Sequence, residues 1–219
     1  LFLSNIEVQD QDGTWVAVTL DQNEWQNGEV ALLDFENGTG ACADSGTSET
    51  NTMITGTAIG SSFSGLRATV GIPQARNHID NAAAPAPRNT PGMFWVWRAG
   101  YKFVRVDFVA GGNRWNVHLG STGCVGANPM AAPDAPCGRP NQPQVELTDA
   151  DHSNLVVDLA ALVDGADSMT NTSSTPPGCM SNPMEPNDCN PVFGNLGLDF
   201  DTGACVNGCS GQTLLRGAN

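Results

Sequence analysis

Apolar and polar residues alternate with a period of two along much of the chain, in short stretches separated by Gly, Pro, Asn and Asp. That period belongs to strands with one covered face. Residues 1–8 read as a first strand, Asp10-Gln11-Asp12-Gly13 as a turn, and residues 15–20 as the hairpin return. Residues 29–35, 51–58 and 65–72 predict three more strands. The longest patterned stretch is 93–108, where Trp95 and Trp97 are expected on one face and Phe94 and Val96 on the other. Ala99-Gly100 interrupts it as a bulge or tight bend. Beyond the break, Lys102, Val104, Val106 and Phe108 face opposite to Tyr101, Phe103, Arg105 and Asp107, giving a strand pair or one bent strand at the centre of the fold. Trp115, Val117 and Leu119 alternate with Arg114, Asn116 and His118, which turns His118 away from the Trp115 face.

Towards the end of the chain the signals shorten. Residues 145–147 and 155–159 read as strands, the second running into one helical turn at 160–163, and 194–200 and 213–215 read as edge strands. Two segments break the period. Residues 71–91 contain Asn81-Ala-Ala-Ala-Pro-Ala-Pro, which fits neither a central strand nor a stable helix, and form a long ordered loop carrying His78. Residues 167–191 are Ser, Thr, Pro and Asn with two cysteines, a disulfide-pinned loop. The expected fold is all-β, an antiparallel β-sandwich with long disulfide-pinned loops.

Charge and cysteine usage narrow the function. With 219 residues, a net charge of −14 and Lys102 as the single lysine, the chain repels nucleic acid and anionic lipid. No transmembrane run exists. Seven cysteines are too many for a reducing cytosol, and none forms a Cys-x-x-Cys pair of the kind a zinc ribbon uses. Short loops suggest Cys124 with Cys137, Cys179 with Cys189 and Cys205 with Cys209, leaving Cys42 over. Disulfides place the protein in the periplasm or outside the cell. A first residue that already reads as strand suggests a mature or truncated chain.

Few residues announce chemistry alone. Gly-x-Ser-x-Gly, phosphate-loop, dinucleotide and His-Glu-x-x-His motifs are absent, so no enzyme is expected. Asp10 and Asp12 beside Gly13 suit either a calcium loop or a plain turn, and the plain turn is the simpler account. His152, beside Asp149 and Asp151, reads as a solvated loop residue, and adjacent tryptophans are often plain core.

The order of motifs says more: Ala-Leu-Leu-Asp-Phe-Glu-Asn-Gly-Thr-Gly-Ala-Cys at 31–42, Glu-Thr-Asn-Thr at 49–52, Gly-Leu-Arg at 65–67, Asn-His-Ile-Asp at 77–80, Met-Phe-Trp-Val-Trp-Arg-Ala-Gly-Tyr-Lys-Phe at 93–103, His-Leu-Gly-Ser-Thr-Gly-Cys at 118–124 and Pro-Gly-Cys-Met at 177–180. This series resembles the MbnP-like family of exported bacterial proteins, the metallo-mystery pair four-Cys-motif proteins with a Trp-x-Trp motif, related to methanotroph copper proteins of the MopE and copper-repressible CorA type. The resemblance covers nearly all of residues 1–219, read as one domain.

The resemblance implies mononuclear copper, mostly Cu(I), held by two histidines and a kynurenine made from tryptophan. Carried over by motif, the metal ligands are His78, His118 and an oxidised Trp95 or Trp97. It further implies a MauG-type di-haem cytochrome as the maturing partner, an outer-membrane copper uptake partner, and a calcium site without an assigned place. Relatives usually carry a further amino-terminal strand with a cysteine, which fits an unpaired Cys42.

Neutral imidazole suits copper, and oxidative opening of an indole frees an aniline nitrogen that can ligate. Met93 is a candidate soft ligand or a core residue, and Asn77 and Asp80 are candidates to orient His78. The expected role is copper acquisition, storage or delivery. The rivals are a copper-dependent redox enzyme and a calcium-stabilised interaction module.

Overall fold

A computed structural model describes residues 1–44, 46–148 and 153–218. The strands are β1 (Phe2–Asp10), β2 (Trp15–Ala17), β3 (Thr19–Leu20), β4 (Gln26–Asn27), β5 (Val30–Leu32), β6 (Gly56–Thr57) and β7 (Phe63–Val70). They continue with β8 (Val104–Ala110), β9 (Asn113–Leu119), β10 (Gln144–Thr148), β11 (Leu155–Val157), β12 (Gly178–Cys179) and β13 (Leu215–Gly217). Three helices join them: α1 (Gln74–Asn77), α2 (Leu159–Leu162) and α3 (Pro186–Asn195). The largest sheet has the order β10-β7-β1-β5-β4, with β2 on β1, and its pairs are antiparallel. The second sheet is β12-β9-β8, where β8 and β9 are antiparallel and β12 lies parallel to β9. The all-β fold is as expected. No helix among the described residues is long and apolar enough to cross a membrane.

Alternation along β1 and β5 explains why both faces of the large sheet are covered. Leu3, Ala31, Ala68, Val70 and Val145 join Val104, Trp115, Val117 and Leu119 of the second sheet in one core. Phe2, Val30, Leu32 and Ile72 point the other way, against Met93, Tyr101 and Phe103. A one-residue slip of β1 would exchange Phe2 and Leu3 between two differently shaped cores, so its register is fixed. Each such large side chain contributes roughly 1.5–3 kcal/mol when buried. Met93, 7% exposed, belongs to the second core, which favours its core role.

The β8–β9 hairpin turns at Gly111 and Gly112, both at positive φ (56° and 85°), as a two-residue turn of the I′ type needs. Its register runs from Val104↔Leu119 to Ala110↔Asn113 and places Arg105 opposite His118. The Asp10–Gly13 segment is a plain turn: Asp10 Oδ1 accepts from the backbone nitrogens of Asp12 (3.0 Å) and Thr14 (2.8 Å).

Four expectations are corrected. Trp95 and Trp97 do not share a strand face. After a 3₁₀ turn at Pro91–Met93 the chain makes a tight loop, in which Trp95 N donates to Gly100 O (3.1 Å) and Gly100 N to Val96 O (2.7 Å), closed by a Phe94↔Tyr101 bridge. The expected bend at Ala99-Gly100 is real, and it reverses the chain before a strand can form. Residues 194–200 are not a strand: they hold the last two residues of α3 and the turn after it, with a single Leu198↔Cys205 bridge, and the buried Cys189, Val192 and Phe193 of α3 recur at helical spacing behind Pro186 at the first turn. Residues 29–35 and 51–58 shrink to β5 and β6, with an Asp34↔Asn51 bridge between them. His152 lies outside the described residues.

The expected disulfides are present: Cys124–Cys137, Cys179–Cys189 and Cys205–Cys209, with Cys42 free.

Candidate metal centre

His118 is the penultimate residue of β9, on the face opposite the Trp115–Val117–Leu119 core, and is 8% exposed. Its Nε2 lies 2.6 Å from Asp107 Oδ1 on the facing strand. Arg105 Nη2 pairs with Asp107 Oδ2 at 2.7 Å, and Asn116, with its amide oriented to satisfy both ends, donates to Oδ1 (3.1 Å). Burial alone would raise the Asp107 carboxyl, but the His118 hydrogen bond and Arg105 outweigh it and bring it down to about 2. Burial lowers the His118 pKa against the opposing pull of Asp107. A neutral imidazole beside an ionised carboxylate must carry its proton on Nε2 and donate it. Nδ1 is then a bare lone pair, and it is buried without a hydrogen-bond partner.

His78 closes α1 at the loop between the two sheets. Its Nδ1 donates to the Trp97 carbonyl (3.0 Å), so Nε2 carries the lone pair; it accepts from Asn77 Nδ2 (3.3 Å) and lies 3.4 Å from Cys137 Sγ. Burial lowers its pKa, opposed by that carbonyl. Asn77, fully buried, holds the neighbourhood together: Oδ1 accepts from Tyr101 N (2.9 Å) and Nδ2 donates to Ser121 Oγ (3.4 Å). Asp80 does not orient His78. It accepts from Ala82 N (3.0 Å) and caps the 3₁₀ turn at Asn81–Ala83.

The two tryptophans serve different neighbours. Trp97 reaches His78 through its backbone carbonyl. The Trp95 ring lies against Gly120, two residues after His118, so closely that a Cβ there would collide with the ring and with Tyr101 O (2.7 Å). Lys102 Nζ sits 5.8 Å from the Trp95 ring centroid and donates to Gly92 O (2.8 Å). Burial, helped by Arg105, lowers its pKa to about 8. Trp95 also lines an open cavity of about 340 Å³ with Ser121, Cys124 and Met180.

The Asn77–Ser121 bond and the Trp95–Gly120 contact tie the His78 loop and the Trp95 ring to the residues just after His118, while Trp97 is tied to His78 by its backbone carbonyl. His78 and His118 share no hydrogen bond with each other; each has its own anchor. Asp107 and Arg105 as partners of His118, and the position of the expected Cys124–Cys137 disulfide beside His78, escaped the sequence reading. Gly111-Gly112 was the signal for the first two, since it fixes the register that brings Asp107 diagonally beside His118.

Each imidazole could turn one lone-pair nitrogen to a metal ion, His118 Nδ1 without a hydrogen-bond partner and His78 Nε2 on giving up the Asn77 amide, while its other nitrogen is fixed by a carboxylate or a carbonyl, the usual support of a ligating histidine.

A family model described as MbnP matches residues 1–181. Among solved structures, MbnP from Methylosinus trichosporium is similar at 31% identity and a TM-score of 0.78, over 97% of this chain and 80% of that one. No curated protein matches.

Proposed function

The chain belongs to the MbnP family, and from that premise we propose that it is an exported copper-binding protein for copper acquisition, storage or delivery. Copper, mostly as Cu(I), is its cargo. The donors are His118 Nδ1, His78 Nε2 and the aniline nitrogen of a kynurenine derived from Trp95 or Trp97. Trp95 is the better supported of the two, because its ring packs beside the His118 end of β9 and borders a cavity. A MauG-type di-haem cytochrome oxidises the tryptophan, which makes this protein a substrate of an enzyme rather than an enzyme. An outer-membrane copper uptake partner and a periplasmic or secreted location complete the reading. Calcium, carried by the resemblance, is assigned no residues.

The observation that supports this most is the buried, unpartnered Nδ1 of His118, with Nε2 held by Asp107. Leaving a polar atom buried and unpaired costs about 1–3 kcal/mol, a cost that a bound metal removes. Asp107 fixes the tautomer, Arg105 keeps Asp107 ionised, and the Trp97 carbonyl sets His78.

Competition titration of Cu(I) against a chromophoric chelator tests the assignment. His118→Ala and His78→Ala should each weaken binding severely, and the double variant should abolish it. Copper affinity unchanged in the double variant contradicts it and supports the interaction module.

A further inference from the structure

We propose that the Cys124–Cys137 disulfide and His78 form a redox-gated copper site, in which reduction by a dithiol creates a three-donor set for Cu(I). This depends on His78 but not on His118 or the oxidised tryptophan. Cys137 Sγ already lies 3.4 Å from His78 Nε2. With Cys124 Sγ, the three ligand atoms fall within 4.8 Å of one another, the one such group of three His, Cys, Asp or Glu side chains among the described residues. The Trp97 carbonyl occupies His78 Nδ1, so the lone pair of Nε2 lies on the side of Cys137 Sγ, and copper would take it over from the Asn77 amide that now donates to it (3.3 Å).

Access differs among the disulfides. Cys137 is buried, but Cys124 is half-buried and lines the open cavity beside Trp95 and Met180. Cys179 and Cys189 are 1% and 0% exposed, closed to a reductant. Cys205 is also half-buried, yet among the described residues its pair has no third ligand group of these types beside it. Reduction there opens a bond without building a site.

The chemistry balances with a dithiol of the thiol–disulfide oxidoreductase class. The dithiol gives up two electrons and two protons and closes its own disulfide, while the Cys124–Cys137 bond opens to two thiols. Each thiol releases its proton on binding Cu(I), and the copper stays monovalent. In the reverse direction a disulfide of the same class takes two electrons from the thiolates, the Cys124–Cys137 bond re-forms, and His78 is left as the remaining donor of the three. Soft thiolates with one imidazole suit Cu(I) at low coordination number, whereas structural zinc calls for four ligands. The device couples capture and release of copper to thiol redox state.

X-ray absorption on the whole chain, carrying Cys42→Ser to remove the free thiol and loaded anaerobically with Cu(I), reads the site directly. The disulfide-intact protein should show nitrogen donors without thiolate sulfur. After mild phosphine reduction two sulfurs per copper should appear, and alkylation with mass spectrometry should find Cys124 and Cys137 opened while Cys179 and Cys189 stay closed. The sulfur signal should vanish in C42S/C124S/C137S. A nitrogen-only shell after reduction, or sulfur that survives in that variant, overturns the proposal. Should the triple variant fail to fold, reduced C42S/H78A serves: loss of the nitrogen donor supports the site and an unchanged shell overturns it. Copper that binds only after reduction, and then through sulfur, supports this site while contradicting the histidine-and-kynurenine reading.

Discussion

His118 and His78 are both buried and neutral, yet the chain holds them by opposite means. His118 stands on a strand whose register is set by a tight hairpin, and a charged pair, Asp107 and Arg105, fixes its tautomer. His78 stands where a four-residue helix ends, and its ring partners among the described residues are neutral: a backbone carbonyl, the Asn77 amide and a disulfide sulfur. A strand supplies position without help, so the side-chain partners of His118 are free to tune its electronics. A loop supplies none, so the ring of His78 is positioned by its neighbours, and Asn77 also holds the backbone at Tyr101 N. Electronic perturbation should therefore show at His118 and mechanical perturbation at His78.

The largest expected effect is mechanical. Replacing Cys124 and Cys137 together with Ser reopens a loop of sequence separation 13 and should cost about 3 kcal/mol, read as a lower denaturant midpoint. Next, Asn77→Ala strips the acceptor from the buried Tyr101 N and should cost about 1–3 kcal/mol by the same measurement. Asp107→Asn breaks the comparison from the other side. It keeps the side-chain shape but no longer holds an ionised partner against His118, and copper affinity should fall about 10–100-fold in a competition titration. The smallest effect belongs to Asp80→Ala, which loses a helix cap at about 1 kcal/mol and should leave copper affinity unchanged. A drop in affinity there would return Asp80 to the support of His78.

Much of this was legible in the sequence because it is local. Alternation located β1, β7, β8 and β9, and short cysteine spacings paired the six bridged cysteines. The Trp95–Trp97 stretch misled because alternation alone does not separate a strand from a tight loop: Ala99-Gly100 signalled the bend, but not that its bonds to Trp95 and Val96 would close a loop there. Helix α3 was masked by Pro186 and Pro191, which read as breakers although Pro186 occupies the first turn, where its missing N–H costs nothing. Asp107 looked like any exposed carboxylate until the hairpin register placed it beside His118. The Cys124–Cys137 contact with His78 joins residues 59 apart in the chain, and no short-range pattern encodes it.

The central claim is that copper is held here by two histidines and an oxidised tryptophan, and peptide mass spectrometry with copper analysis on protein from its native host tests it most directly. The account predicts bound copper together with Trp95 or Trp97 converted to kynurenine. Intact tryptophans with copper retained would contradict the kynurenine ligand, and protein carrying neither copper nor kynurenine would contradict the account as a whole.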